Sequence, residues 1–212
     1  MIELGSSFLL LVLLASPSRA DLIAVSNLGE PLSGGFGLGT LALAGSFTTA
    51  DGAYTLNSVV VSAFSNSAGS ATLRLRTDVL GMPGVLVEDL GSNRIGAGSS
   101  AVTYAYLGTA LQPNTTYWVT LGEAGSGDFQ WNVTTSTAET SSVAWTIGDQ
   151  ARFSNDGGTI WQQVFFGPPN ESPRFAINAR PAVVPEPSTL SVIGLGLAGL
   201  LGVHRRRRNR TA

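Results

Sequence analysis

Cysteine and lysine are both missing from this chain, and histidine occurs once, at position 204. Without cysteine there is no disulfide framework, no thiol nucleophile and no cysteine-held metal. A lone imidazole set beside a block of arginines also removes a Ser-His-Asp triad and a histidine metal site, so no catalytic residue and no cofactor are expected. Charge of either sign is sparse, at 12% of residues, against about 25% in an ordinary globular chain. All twelve basic residues are arginine, and the formal net charge of −2 hides an uneven distribution. Five of the arginines crowd into positions 205–210, whereas Asp21–Val184 holds six arginines against twelve acids, a net of −6. A mildly acidic body has no surface with which to displace counterions from a phosphate backbone, which excludes nucleic acid as a partner. A helical hydrophobic period is missing from that body as well.

What is present is glycine, 26 residues of it, with abundant serine and threonine and short apolar segments between turns. In Ala71–Val79, Leu73, Leu75 and Thr77 alternate with Arg74, Arg76 and Asp78. That period of two predicts a half-buried strand. Further strands are expected near residues 22–28, 46–49, 55–65, 85–90, 101–107, 115–121, 129–134, 142–147, 160–165 and 174–177. Residues 30–39 are expected as a glycine-rich loop, and Gly81-Met82-Pro83-Gly84 as a turn. Many short strands punctuated by Gly, Pro and Asn predict an all-β fold over residues 21–179, an antiparallel β-sandwich of jelly-roll-like form. Its core would draw on Leu56, Val60, Leu73, Leu75, Tyr104, Tyr106, Tyr117, Val119, Trp131 and Trp145.

The two ends differ from the body. Phe8–Leu14 is a compact apolar run, and Ser18 and Ala20 are small residues at −3 and −1 of a cut after Ala20, so residues 1–20 read as a signal peptide. No basic residue precedes that run and Glu3 does, which leaves a retained anchor as the other reading. At the far end a linker over residues 180–189 contains Val184-Pro185-Glu186-Pro187, where two prolines keep the backbone extended and accessible. The uncharged residues 190–203 follow, read as a single transmembrane helix. Fourteen residues span about 21 Å, short of a hydrocarbon core of roughly 30 Å, so snorkelling arginines would have to help. Residues 204–212 carry Arg205, Arg206, Arg207, Arg208 and Arg210, a positive block that stays cytoplasmic.

In this order, Pro-Glu-Pro, short apolar run and Arg-rich tail, the last 29 or so residues resemble the PEP-CTERM sorting signal of Gram-negative bacteria. The resemblance implies export, an inner-membrane intermediate, and processing near the triplet by an exosortase, a membrane-embedded cysteine protease. A second resemblance lies in the body: GSFTTADGAYTLNSVVV, TLRLRTDVLGMPGVLVEDL, LQPNTTYWVTL and SNDGGTIWQ look like the choice-of-anchor β-sandwich domains, type R above all. It implies a fold and carries no catalytic residues over.

Other constellations are weaker. Glu88 and Asp89 are adjacent on a strand and so point to opposite faces, which keeps them from acting jointly on one glycosidic bond. Glu123, Asp128 and Glu139 would meet only through tertiary structure. Asp51, Asp128 and Asp156 each adjoin glycine, as calcium-binding loops often do, but the same pairs simply make turns. Residues 194–199 satisfy G-x-G-x-x-G without a preceding strand or a downstream acid, so they are no nucleotide site. Gly194, Ala198 and Gly202 form a small-residue stripe, open to a second membrane helix or merely typical of one. For stacking on sugars, Trp118 is the first candidate because it alternates with core residues Tyr117 and Val119, and Trp161 beside Gly157-Gly158 is the second.

The sequence therefore predicts a secreted, non-catalytic surface or extracellular-matrix protein, destined for the cell envelope or the medium. A carbohydrate-binding module for extracellular polysaccharide is the alternative, and an acidic glycoside hydrolase a more distant one.

Overall fold

A computed structural model describes residues 21–105, 108–123, 129–163 and 171–182. Residues 1–20, expected as a signal peptide, lie outside the described residues, as do Tyr106, Asp128, the Pro-Glu-Pro triplet, the 190–203 segment, the arginine tail and the Glu123 side chain.

Strands run in chain order over Leu22–Ser26 (β1), Gly34–Gly37 (β2), Ala42–Thr48 (β3), Tyr54–Ser65 (β4), Gly69–Val79 (β5), Met82–Ile95 (β6), Gly98–Ala105 (β7) and Ala110–Leu111 (β8). They continue over Thr116–Glu123 (β9), Phe129–Thr134 (β10), Thr140–Ser141 (β11), Thr146–Ile147 (β12), Arg152–Ser154 (β13), Gln162–Gln163 (β14), Ser172–Pro173 (β15) and Phe175–Pro181 (β16). Among the described residues there is no helix, and so none long and apolar enough to cross a membrane.

These strands form two antiparallel sheets, as the alternation predicts. The first has the order β11-β1-β16-β4-β10-β15, with β2 on β10 and both β7 and β8 on β4. The second has the order β14-β13-β3-β9-β5-β6, with β12 on β3. β16 lies inside the first sheet, paired with β1 on one side and with β4 on the other.

The core is the apolar side of each alternation. Leu73 and Leu75 on β5 and Val119 and Leu121 on β9 are fully buried, while Arg74, Arg76 and Asp78 point outward. At one end Phe47 stacks on Tyr117 and on Trp145, each at 5.7 Å between centroids, and Tyr54 meets Trp145 edge-on. Trp131 and Phe175 form a second aromatic pair. Tyr104 spans the layers, its hydroxyl donating to the Ala71 carbonyl at 2.9 Å, and burial pushes its ionisation well above the usual phenol value. Gly45 is a close-approach residue: a Cβ there would lie 2.9 Å from the buried Phe175 ring.

Three sequence expectations are corrected. Val60 is not in the core, whereas Val59 and Val61 are. The register between β4 and β16 shifts at Asn57, between the Leu56–Ala179 and Ser58–Asn178 pairs, and one extra residue flips the side of everything after it. The expected glycine-rich loop contains β2, which pairs Phe36 with Trp131. The β5–β6 turn falls at Leu80-Gly81, both with positive φ (56° and 77°), so Met82, Pro83 and Gly84 already belong to β6. A two-residue hairpin loop with both residues in this region matches the strand twist, and here a leucine adopts it.

Candidate functional site

The outward side of the second sheet carries the side chains with chemistry to offer. On β9, Trp118 stands between Arg76 of β5 and Ser46 of β3 in the register. It points away from the core, as alternation predicts, but it is not a free surface: only 3% of it is exposed. The Arg152 guanidinium lies 5.6 Å over its ring, and its Nε1 donates to Asp78 Oδ1 at 2.7 Å. Arg152 Nε in turn donates to the Gly81 carbonyl at 3.2 Å, so the hairpin turn and β13 close over the indole. Trp118 is therefore corrected from a stacking platform to a buried residue. The residues that cover it are distant in sequence, which is why alternation alone reads it as exposed.

Trp161 is placed differently. It is half-buried, its Nε1 donating to the Gly158 carbonyl at 3.1 Å, and it lines an open groove of about 500 Å³. The groove lies between the 158–161 loop and the start of β6, with Arg76, Gly84, Val85, Gly158 and Ile160 among its walls. Arg76 lies 5.9 Å from the Trp161 ring centroid, and its Nη1 donates to the Gly84 carbonyl at 3.0 Å. Its Nε is buried with no hydrogen-bond partner. Burial, and then the charge of Arg74, hold its pKa below the usual value. Val85 and Ile160 are 71% and 60% exposed, so the rim is apolar and wet.

Asp156 builds the loop that presents Trp161. Its carboxylate accepts from the backbone N–H of Ile160 and Thr159, both at 2.9 Å, and from Ser154 Oγ at 2.6 Å. The Ile160 bond, followed by the Ser154 bond, holds this carboxyl below the usual carboxylate range. Gly157 and Gly158 complete the turn with positive φ. Asp156 thus serves the turn, and Asp51 accepts a 2.6 Å bond from Asn114 Nδ2. No group of three potential metal ligands occurs among the described residues.

The remaining acids are dispersed. Asp89 pairs with Arg74 at 3.1 Å on the outer side, while Glu88, opposite buried Leu75 in the register, reaches Thr109. Glu139 accepts from the Ile147 N–H, and burial pushes its carboxyl up. Sequence reasoning named Trp161 but missed Arg76, Gly84, Val85 and Ile160 as its surroundings. The outward position of Arg76 was legible from alternation; its meeting with a residue 85 positions later was not.

Comparison with known proteins adds the C-terminal end. Residues 183–208 match the PEP-CTERM protein-sorting motif. This chain carries a PEP-CTERM sorting signal. The match takes in Val184, Pro185, Glu186 and Pro187, the apolar run, and Arg205, Arg206, Arg207 and Arg208, with Arg210 just beyond it. PEP-CTERM substrates are exported, pass through the membrane to the cell envelope, and are recognised by an exosortase. No curated protein and no solved structure matches the chain.

Proposed function

We propose that this PEP-CTERM substrate is a non-catalytic envelope protein whose β-sandwich is displayed outside the inner membrane. The observation that carries the proposal is the sorting motif at residues 183–208, directly after a body that ends at Pro181. In this reading residues 1–20 start export, residues 190–203 halt in the membrane, and Arg205 to Arg210 resist translocation. Pro185-Glu186-Pro187 is then left outside as an extended, cleavable stalk. The body is of the choice-of-anchor kind, with no enzymatic role.

The mass of the exported protein tests this. The expected mature species lacks everything beyond the Pro-Glu-Pro region, and a strain without its exosortase accumulates the uncleaved form in the membrane fraction. An exported protein that keeps Arg205–Ala212 intact would refute processing.

A second reading, favoured by the open groove at Trp161, is that the displayed body binds extracellular polysaccharide. An indole face at a wet, shallow groove suits a pyranose ring. Trp118, closed off by Arg152 and Asp78, does not contribute to this reading.

A further inference from the structure

The Trp161 groove contains a cation without a counterion. Arg76 is partly buried on the groove wall, and among the described residues no carboxylate lies within ion-pair distance of it. Its one hydrogen bond is to the neutral Gly84 carbonyl, which leaves guanidinium donors free beside the indole, and Nε is orphaned altogether. Gly158 permits this closeness, since a Cβ there would lie 3.1 Å from Arg76 Nη2 and 3.3 Å from Trp161 Cζ2. Arg152 makes the contrast plain. It also lies over a tryptophan, but its Nε is bonded to the Gly81 carbonyl and its Nη1 to Gln150 Oε1 and the Ala151 carbonyl. An unpaired, half-desolvated guanidinium favours a planar anion that can accept two parallel hydrogen bonds, as a carboxylate does.

We propose that this groove binds a carboxylate-bearing saccharide, a uronate-type unit of an acidic polysaccharide, with the ring on Trp161 and the carboxylate on Arg76. The inference rests on the polysaccharide reading above and narrows it from sugars in general to acidic ones. The apolar rim of Val85 and Ile160 suits the C–H faces of neighbouring units, and the groove is open to solvent rather than enclosed.

Polygalacturonate is the probe, tested with the full chain in mild detergent by affinity electrophoresis and titration. Carboxyl-reduced polygalacturonate, dextran and phosphatidylglycerol vesicles are run beside it. Expected are binding to polygalacturonate that weakens with salt, at least tenfold weaker binding to the reduced polymer and to dextran, and a tenfold or greater loss on Trp161→Ala and on Arg76→Gln. The reduced polymer tests the carboxylate without altering the protein, so a variant that misfolds leaves the answer intact. Equal binding to acidic and neutral polymers, lost on Trp161→Ala, would overturn the acidic inference while sustaining polysaccharide binding. Binding to no polymer would overturn both. Retention on the vesicles alone would assign the groove to a lipid surface and overturn the proposal.

Discussion

The second sheet carries two tryptophan–arginine pairs on its outer side, and they have opposite fates. Trp118 and Arg152 are 5.6 Å apart, Trp161 and Arg76 5.9 Å. The first pair is sealed by Asp78 and the Gly81 carbonyl, and its tryptophan is 3% exposed. At the indole N–H the second has the neutral Gly158 carbonyl where the first has the Asp78 carboxylate, and it opens on a groove. Burial lowers the pKa of both guanidinium groups, but Asp149 and Asp78 oppose that shift at Arg152, whereas Arg74 reinforces it at Arg76. A cation–π pair alone therefore says little about role. The third partner decides whether it serves as a structural clasp or an unfilled site.

Removing each indole should separate the two most sharply. Trp118→Ala empties a buried, hydrogen-bonded position and should cost about 3–5 kcal/mol, lowering the melting temperature by about 10 °C. Trp161→Ala should cost about 1 kcal/mol or less, since its site is open. Equal losses in thermal unfolding would erase the distinction. Next in size, Asp78→Ala should cost about 2 kcal/mol by orphaning the Trp118 N–H and freeing the hairpin turn. It should also raise acrylamide quenching of Trp118; unchanged quenching would show that Arg152 seals the site unaided. The smallest effect concerns pH. The folded pKa of Asp156 is depressed, so its hold on the 156–161 loop is present above the ordinary carboxylate value near 4 and is lost as pH falls through the folded one. Quenching of Trp161, taken as the difference from Trp161→Phe, should stay flat from pH 8 to about 5 and rise below about 4. A flat trace down to pH 2 would mean that Ser154 and the glycines hold the loop without the charge.

The architecture was legible because alternation is local. Leu73 and Leu75 are separated from Arg74 and Arg76 by nothing more than the pleat, and the two-sheet class follows from repeating that pattern. The β2 strand was hidden because Gly34, Gly35 and Gly37 have no side chain to show a period, and Val60 was misassigned because the bulge at Asn57 is a property of pairing with β16. The candidate site was half legible for the same reason. Alternation gave the direction of Trp118 but not its cover, and it gave the direction of Arg76 but not Trp161 above it. The sorting signal was fully legible, since its three parts are contiguous and need no tertiary contact to be read.

One placement bears on timing. β16, the last strand of the body, lies in the interior of its sheet, registered against β1 over Leu22–Ser26 and against β4 over Tyr54–Val61. A chain is synthesised from its N-terminus, so until residues 175–181 have emerged, β1 and β4 have no strand between them. The first sheet stays incomplete until this last strand of the body has been made. The body can close only when the sorting motif is the next segment to appear, which links completion of the fold to arrival of its address.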